Sequence, residues 1–536
     1  MSNGVGKVEY VSYFDTKSKY TGIMSWLTTM DHKRISLMYM YCISAFFLVG
    51  VVLGLLMKVE HLAPGETIMK AQTYNGVFTV HGIIMIFMVV IPGLSAVFGN
   101  FFLPILIGGK DVSFPKLNLF SWYLYVTGSI LAVASQFLKA GPPDTGWTFY
   151  APYSANTGTS VIIATTAAFI LGFSSILTGL NFIVTVHRMR APGMKLFSMP
   201  LFPWSLYATA WIQLLATPVV GITLVMLIAE RLFKIGFFDP ALGGDPILFQ
   251  HLFWIYSHPA VYVMILPAMG VISEIIPTFC QRKIYGYKAI AMSSLAIAGV
   301  GFLVWGHHMY TSGMSENARW FFSLLTFVVA VPSAIKVFNW ILTMYKGSID
   351  IKPPFVYAVI FIFLFIIGGT TGLLLGSVAT NVQVHDTAFV VAHFHYIIFG
   401  GMGFAFFAAI HYWLPKMYGR MYNLKRANWA AGIMFVGFNI LYFPQFIIGI
   451  QGMPRRYFDY PVEFQPAQIF SSIGGFILAT GLIIMIANLV KGARKGELAP
   501  NNPWGGLTLE WTLPSPPSLL NFDEEPVINE NPYDYK

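Results

Sequence analysis

The chain has 536 residues, 56% of them hydrophobic and only 10% charged, with a formal net charge of +9. Soluble domains carry about 25% charged residues, so this composition excludes the soluble globular classes and reads as a polytopic membrane protein. The basic residues are scattered between apolar runs, which fits membrane orientation rather than a nucleic-acid surface.

The first 30 residues are polar and mixed, without a cleavable signal pattern. Apolar runs of about 20 residues, the length that crosses a bilayer, then follow near 35–57, 77–103, 117–138, 160–186, 201–229, 249–277, 289–310, 320–345, 354–376, 386–414, 429–451 and 467–491. The expected architecture is an all-α integral membrane protein, a bundle of twelve transmembrane helices. It comprises an N-terminal segment 1–34, a core 35–491 and a C-terminal tail 492–536. An even number of spans leaves both termini on one side. With that side cytoplasmic, the cytoplasmic segments hold 23 of the 32 Lys and Arg and the opposite loops 8, with Lys336 inside a span; the positive-inside rule therefore places both ends in the cytoplasm. The opposite loops GPPDTGWTFYAPYSANTG, FFDPALGGDP and GMPRRYFDYP are rich in Gly, Pro and aromatics, as ordered loops are. The tail from Gly496, rich in Pro and Asn, is expected along the surface or against a neighbouring subunit. Cys42 and Cys280 form no metal spacing, and no disulfide is implied.

Six histidines interrupt the apolar runs: His81, His258, His307, His308, His393 and His395. An unsatisfied imidazole in hydrocarbon costs several kcal/mol, whereas neutral imidazole is the commonest nitrogen ligand of heme iron and copper. Taken together, the six read as a metal-binding membrane core. His258 and Tyr262, four apart, share a helix face. His393 and His395, two apart, point about 200° from each other, so one helix can serve two centres. Adjacent His307 and His308 reach one ion only from a distorted or helix-edge geometry. His32, His61, His187, His251 and His411 lie near span ends or in loops, where interfacial placement is expected.

The segments TVHGIIMIF, GDPILFQHLFWIYSHPAVYV, VWGHHM, VHDTAFVVAHFHY and GMPRRY resemble subunit I of the heme–copper terminal oxidases over roughly residues 25–515. That resemblance implies His81 and His395 as axial ligands of a low-spin heme and His393 as the ligand of a high-spin heme. It implies His258, His307 and His308 as ligands of one copper, and a cross-link between His258 and Tyr262, with Tyr262 supplying an electron and a proton at O–O cleavage. His385 and Asp386 resemble magnesium ligands at a subunit interface, and Arg455 and Arg456 partners of the heme propionates. Trp147 and Trp254 resemble residues lining the heme pockets, with packing an equal explanation. Both hemes are expected to be of the a type; Lys58, where relatives carry arginine, leaves the o and b types open. Glu60 and Gly65 match a peripheral cation site only loosely.

Polar residues within the spans extend the reading. Lys336 is the only lysine placed well inside a span, and an intramembrane lysine is a functional-site hypothesis by default. By the resemblance it belongs, with Ser333 and Ser273, to a proton path to Tyr262, and no other titratable group is placed between the cytoplasm and that tyrosine. A second path would start at Asp111 and run by Asn100, Asn118, Asn181, Ser174 and Ser175. The glutamate usual in that path would occupy position 260, which is Ala; the pair Tyr256 and Ser257 resembles the subclass in which a Tyr-Ser pair replaces it.

The implied activity is that of a proton-pumping cytochrome c oxidase, reducing O2 to water in the lipid of a prokaryotic inner (plasma) membrane. No copper-thiolate motif is present, so electrons from cytochrome c would enter through a subunit II with a dinuclear copper, in a complex with subunit III and small subunits. A quinol oxidase is the alternative, but the positions of its quinone site hold Val49, Leu53, Thr73 and Gly76. A nitric oxide reductase is more remote, because Tyr262 and Lys336 are features those relatives lack. A channel or transporter would explain the spans but not the paired histidines.

Overall fold

The structure is a computed structural model that describes residues 11–15, 19–528 and 531–535; parts of the expected N-terminal segment (1–10 and 16–18) and tail (529–530 and 536) lie outside the described residues. The described chain is helical throughout, with only isolated β-bridges. Among the described residues, eleven helices are long and apolar enough to cross a membrane. In chain order these and one shorter helix are α1 (His32–Glu60), α2 (Ala71–Leu106), α3 (Pro115–Ala134), α4 (Val161–Arg188), α5 (Leu201–Phe233), α6 (Pro246–Cys280), α7 (Tyr287–Gly301), α8 (Glu316–Met344), α9 (Pro353–Gly376), α10 (Ala388–Tyr418), α11 (Leu424–Ile450) and α12 (Val462–Lys495).

The segment expected to span at 289–310 is the exception. Helix α7 has only 15 residues, about 22 Å at 1.5 Å per residue. It stops at Gly301, where the chain loosens and then tightens into a 3-10 turn, Trp305–Met309. Most other helices overrun their expected limits, because polar ends such as His32–Arg34 and Gly492–Lys495 stay helical beyond the apolar window. Local chemistry fixes several starts: Asp31 accepts from the Lys33 and Arg34 amides of α1, Asp245 from Ile247 of α6 and Thr387 from Phe389 of α10, each satisfying an otherwise orphaned donor.

Burial separates the centre of the bundle from its rim. The apolar windows of α6, α2 and α10 are 89%, 83% and 72% buried, whereas α1 and α8 are 17% and 28%. The six sequence-selected histidines lie on those three central helices and the turn after α7. Helices α2 and α10 also contain π-helical stretches, Ile84–Val90, Gly93–Gly99 and Ile398–Gly403. These wider turns occur often at functional sites, and here the first in α2 and the one in α10 begin three residues beyond His81 and His395.

The tail does not leave the chain. It folds back across the helix ends on its own side: Lys416 donates to the Leu513 carbonyl (2.5 Å), Trp504 to the Tyr412 carbonyl (2.8 Å) and Tyr533 to Glu274 (2.7 Å).

Candidate heme–copper centre

His258 sits in the middle of α6, and the turn after α7 brings His307 and His308 against it. One ring nitrogen from each of the three lies within 4.8 Å of the others. Consecutive α-helical residues diverge by about 100°; the 3-10 turn at the helix edge is what lets neighbouring imidazoles converge. The approach of α7 depends on Gly301, since a Cβ there would come 2.6 Å from the Tyr262 ring.

Hydrogen bonding sets which nitrogens are free. Thr326 donates its hydroxyl proton to the Phe322 carbonyl (2.7 Å), so its oxygen accepts from His307 Nδ1 at 3.0 Å, leaving the His307 Nε2 lone pair available. His258 Nε2 is 2.7 Å from the Tyr262 hydroxyl, and His258 Nδ1 faces His308 Nε2 at 3.2 Å. Trp254 stacks on the His308 ring at 3.7 Å and 5° and is itself held by the Tyr150 hydroxyl at 2.5 Å. Three neutral nitrogens without a carboxylate suit copper or zinc and not magnesium or calcium.

The other three histidines show the same logic. His393 Nδ1 lies 3.0 Å from the Gly368 carbonyl and 3.1 Å from Thr371 Oγ1. His81 Nδ1 is 2.8 Å from the Gly50 carbonyl, and His395 Nδ1 is 2.8 Å from the Val391 carbonyl. A carbonyl oxygen only accepts, so each Nδ1 carries the proton and each Nε2 presents a lone pair, the arrangement of a metal-ligating imidazole. Helix α9 links the two kinds of site: a Cβ on Gly372 would meet the His393 ring at 3.0 Å, and one turn on, a Cβ on Gly376 would meet Thr326 at 2.9 Å.

His81 and His395 face a cavity of about 320 Å³ among α1, α2, α10, α11 and α12, walled by apolar side chains. Lys58, Arg455 and Arg456 also line it. Lys58 donates to Gln468 (2.9 Å). The two arginines lie in the loop before α12; their nearest carboxylate, Asp386, stands 3.9 Å from Arg455 and is 70% exposed, and Arg455 Nε has no hydrogen-bond partner among the described residues. Burial lowers the pKa of both guanidinium groups. Two cations at the end of an apolar slot, poorly matched by protein charge, fit a flat apolar ligand that carries anions at one edge. The donor set and the cavity thus fit a heme held between His81 and His395.

The expected proton-path residues are only partly joined. Lys336, 1% exposed, donates to the Ile290 carbonyl (3.1 Å) and Ser294 Oγ (2.7 Å) of α7. Ser333 is engaged with the Val329 carbonyl, and Ser273 accepts from Trp340 one turn beyond Lys336. On the other branch, Asn181 binds both backbone groups of Phe114. The Asn118 amide and the Asn100 Oδ1 are buried without partners among the described residues. Ser174 and Ser175 line a 20 Å³ cavity with Tyr39, Thr178 and Gln213, enough for one water. Asp111 is partly buried; burial and then Asp31 push its carboxyl up to about 7. Tyr256 and Ala260 are both buried in α6, and Ser257 Oγ has no partner among the described residues.

Several expectations need correction. His32 and His411 are wholly buried rather than interfacial, because the tail and the packed end of α10 cover them; His61 and His251 remain partly open and His187 is exposed. Lys336 is not alone on its side of Tyr262: Glu274 lies three turns along α6, 1% exposed, accepting from the Phe202 amide and the Tyr533 hydroxyl. A glutamate inside an apolar run is itself the signal that should have found it. Glu60 accepts from the amides of Thr67, Ile68 and Met69, so its carboxylate serves the loop. His385 Nε2 and Asp386 stand 3.6 Å apart, with no third ligand beside them among the described residues. Thr326, Thr371 and Ser294 were missed, since a hydroxyl gives no sequence signal of its tertiary partner.

Residues 34–477 match a family model described as cytochrome c and quinol oxidase polypeptide I. The chain is 43% identical over 507 residues to cytochrome c oxidase subunit 1 of Synechocystis sp., covering 94% of this chain and 92% of that one. It is 41% identical over 539 residues to cytochrome c oxidase subunit 1 of Cereibacter sphaeroides, covering 94% and 95%. A cryo-EM structure of a heme-copper terminal oxidase dimer superposes with a TM-score of 0.72 at 23% identity over 87% of this chain and 85% of that one, a likeness of fold.

Proposed function

The chain belongs to the cytochrome c and quinol oxidase polypeptide I family, and from that premise we propose that it is the catalytic subunit of a cytochrome c oxidase, reducing O2 with four electrons and four protons to two waters. It is a multi-pass protein of the prokaryotic plasma membrane, takes heme and copper, and works in a complex with subunit II and further subunits. The convergence of His258, His307 and His308 within 4.8 Å carries the reading.

His81 and His395 would hold one heme, which would supply electron transfer. His393 would hold the second heme. When bound, the second heme and the copper supply the electrons and the open coordination positions at which O2 is reduced. The protein's own part is to fix the imidazoles, exclude bulk water and deliver protons. Tyr262, in hydrogen-bond contact with His258, would give a proton and an electron, and its proximity supports the cross-link. Arg455 and Arg456 would neutralise propionates, and His385 with Asp386 would share a magnesium with the partner subunit. Both hemes are assigned to the a type. Electrons would come from cytochrome c through a dinuclear copper of subunit II, with subunit III and small subunits completing the complex. Both termini would face the cytoplasm, with α7 and its turn serving as the twelfth span.

Reduced-minus-oxidised spectra with heme extraction and metal analysis test this: two hemes and one copper per chain are expected, with turnover on reduced cytochrome c and none on quinol. A single heme per chain refutes the assignment.

A second expected result concerns the missing glutamate. Tyr256 lies one turn before Ala260 on nearly the same face, and its hydroxyl with Ser257 would form the relay. Tyr256→Phe keeps the ring and should impair pumping without changing heme content; adding Ala260→Glu should partly restore it. Normal pumping by Tyr256→Phe would leave bound water alone to bridge the gap.

A further inference from the structure

The tail reaches the start of α1 through the Leu519 carbonyl, which accepts from Lys33 Nζ (3.0 Å), and through the side chain of Asn521. Asn521 is 2% exposed and sits at φ 64°, a left-handed conformation that asparagine tolerates better than most residues. Its Oδ1 accepts from Lys33 Nζ (2.8 Å), which fixes the orientation of the amide because an ammonium only donates. Its Nδ2 therefore faces three acceptors: the Gly109 carbonyl (3.0 Å), the Lys110 carbonyl (3.1 Å) and His32 Nε2 (3.1 Å). His32 fits that role, since its Nδ1 lies 2.7 Å from the Asn100 carbonyl and so carries the ring proton.

Three of the four groups this amide holds belong to the surroundings of Asp111. Gly109 and Lys110 are the turn that presents it, Lys33 is ion-paired with Asp31 (3.1 Å), and Asp31 and Lys33 are the charges that act on the Asp111 carboxyl. Asn100, bonded to His32, is itself an expected path residue. A second tail contact clamps the same turn: Pro526 packs against Gly108, where a Cβ would come 3.0 Å from it, and the Ile528 amide donates to the Pro192 carbonyl (3.1 Å).

We propose that the C-terminal tail is a working part of the Asp111 proton mouth, with Asn521 the positioning residue that pins the Gly109–Lys110 turn to the start of α1. The inference rests on the reading of Asp111 as the site of proton uptake. Held this way, Asp111 stays partly buried within reach of the charges of Asp31 and Lys33, with Lys110 its chain neighbour and His32 against Lys33. Released, the turn opens to water, and a solvated carboxyl returns toward its ordinary range.

The test uses the assembled oxidase in vesicles. Asn521→Gly preserves the left-handed backbone and removes only the amide. Heme spectra and the KM for cytochrome c should be unchanged, while proton uptake falls about fivefold and the alkaline limb of the rate–pH profile moves down by about one unit. The sign follows because uptake needs the protonated carboxyl, which a lower pKa loses at lower pH. Asn521→Asp, of equal size and still paired with Lys33, should also slow uptake, since it cannot donate to the two carbonyls. Asp111→Asn separates the readings. If that variant turns over and pumps normally, the uptake site itself is wrong. If it is slow while both Asn521 variants keep the native rate and limb, the tail plays no part in proton uptake. Loss of heme from both Asn521 variants would make the residue structural and equally overturn the proposal.

Discussion

Replacing Lys336 by methionine should slow reduction of the heme–copper centre by roughly 10²–10³-fold, because an electron entering a low-dielectric site without a compensating proton meets a large charging penalty. The lysine is 1% exposed and lies deep in α8, held by the Ile290 carbonyl and the Ser294 hydroxyl of α7. No carboxylate pairs with it among the described residues. A snorkelling lysine would reach for an interface; this one is bonded sideways to a neighbouring helix. Methionine is similar in length and apolar, so the bundle should assemble with both hemes. Stopped-flow reduction of the high-spin heme by a rapid donor is the measurement. A native rate would make Lys336 a packing residue and shift attention to Glu274, the buried carboxyl on the same side of Tyr262.

The contrast between Lys336 and Glu274 shows what the sequence exposes. Spans were legible because hydropathy over about 20 residues is a local property. The six histidines were legible because an imidazole in an apolar run contradicts its surroundings. The helix angle alone shows that His393 and His395 point apart, and the structure gives them separate surroundings, α9 for one and the cavity shared with His81 for the other. Where the answer depended on distant chain, the sequence was silent. His32 reads as interfacial until the tail, nearly 490 residues later, is laid over it. The same holds for Asn521, whose four partners come from the start of α1 and the turn before Asp111. The shortness of α7 was hidden too, since residues 302–310 are nearly as apolar as the helix before them.

His307→Ala should remove the copper, leave both hemes spectroscopically intact and abolish oxygen reduction, since two imidazoles and an open cavity cannot replace a three-nitrogen site. The sharper test is Thr326→Val. The valine fills the same volume but cannot accept from His307 Nδ1, so the tautomer that presents Nε2 loses its anchor. Outer-sphere hydrogen bonds of this kind are worth about 10–100-fold in metal affinity, and copper should be lost to a chelator at correspondingly lower concentration while heme content stays constant. Thr326 also packs against Gly376, one turn from the Gly372 that receives His393, so a packing defect would perturb the His393 heme spectrum as well. Copper loss with an unchanged heme spectrum therefore assigns the effect to the hydroxyl. Retained copper in His307→Ala, or loss of a heme there, would mean that the three histidines do not share one ion.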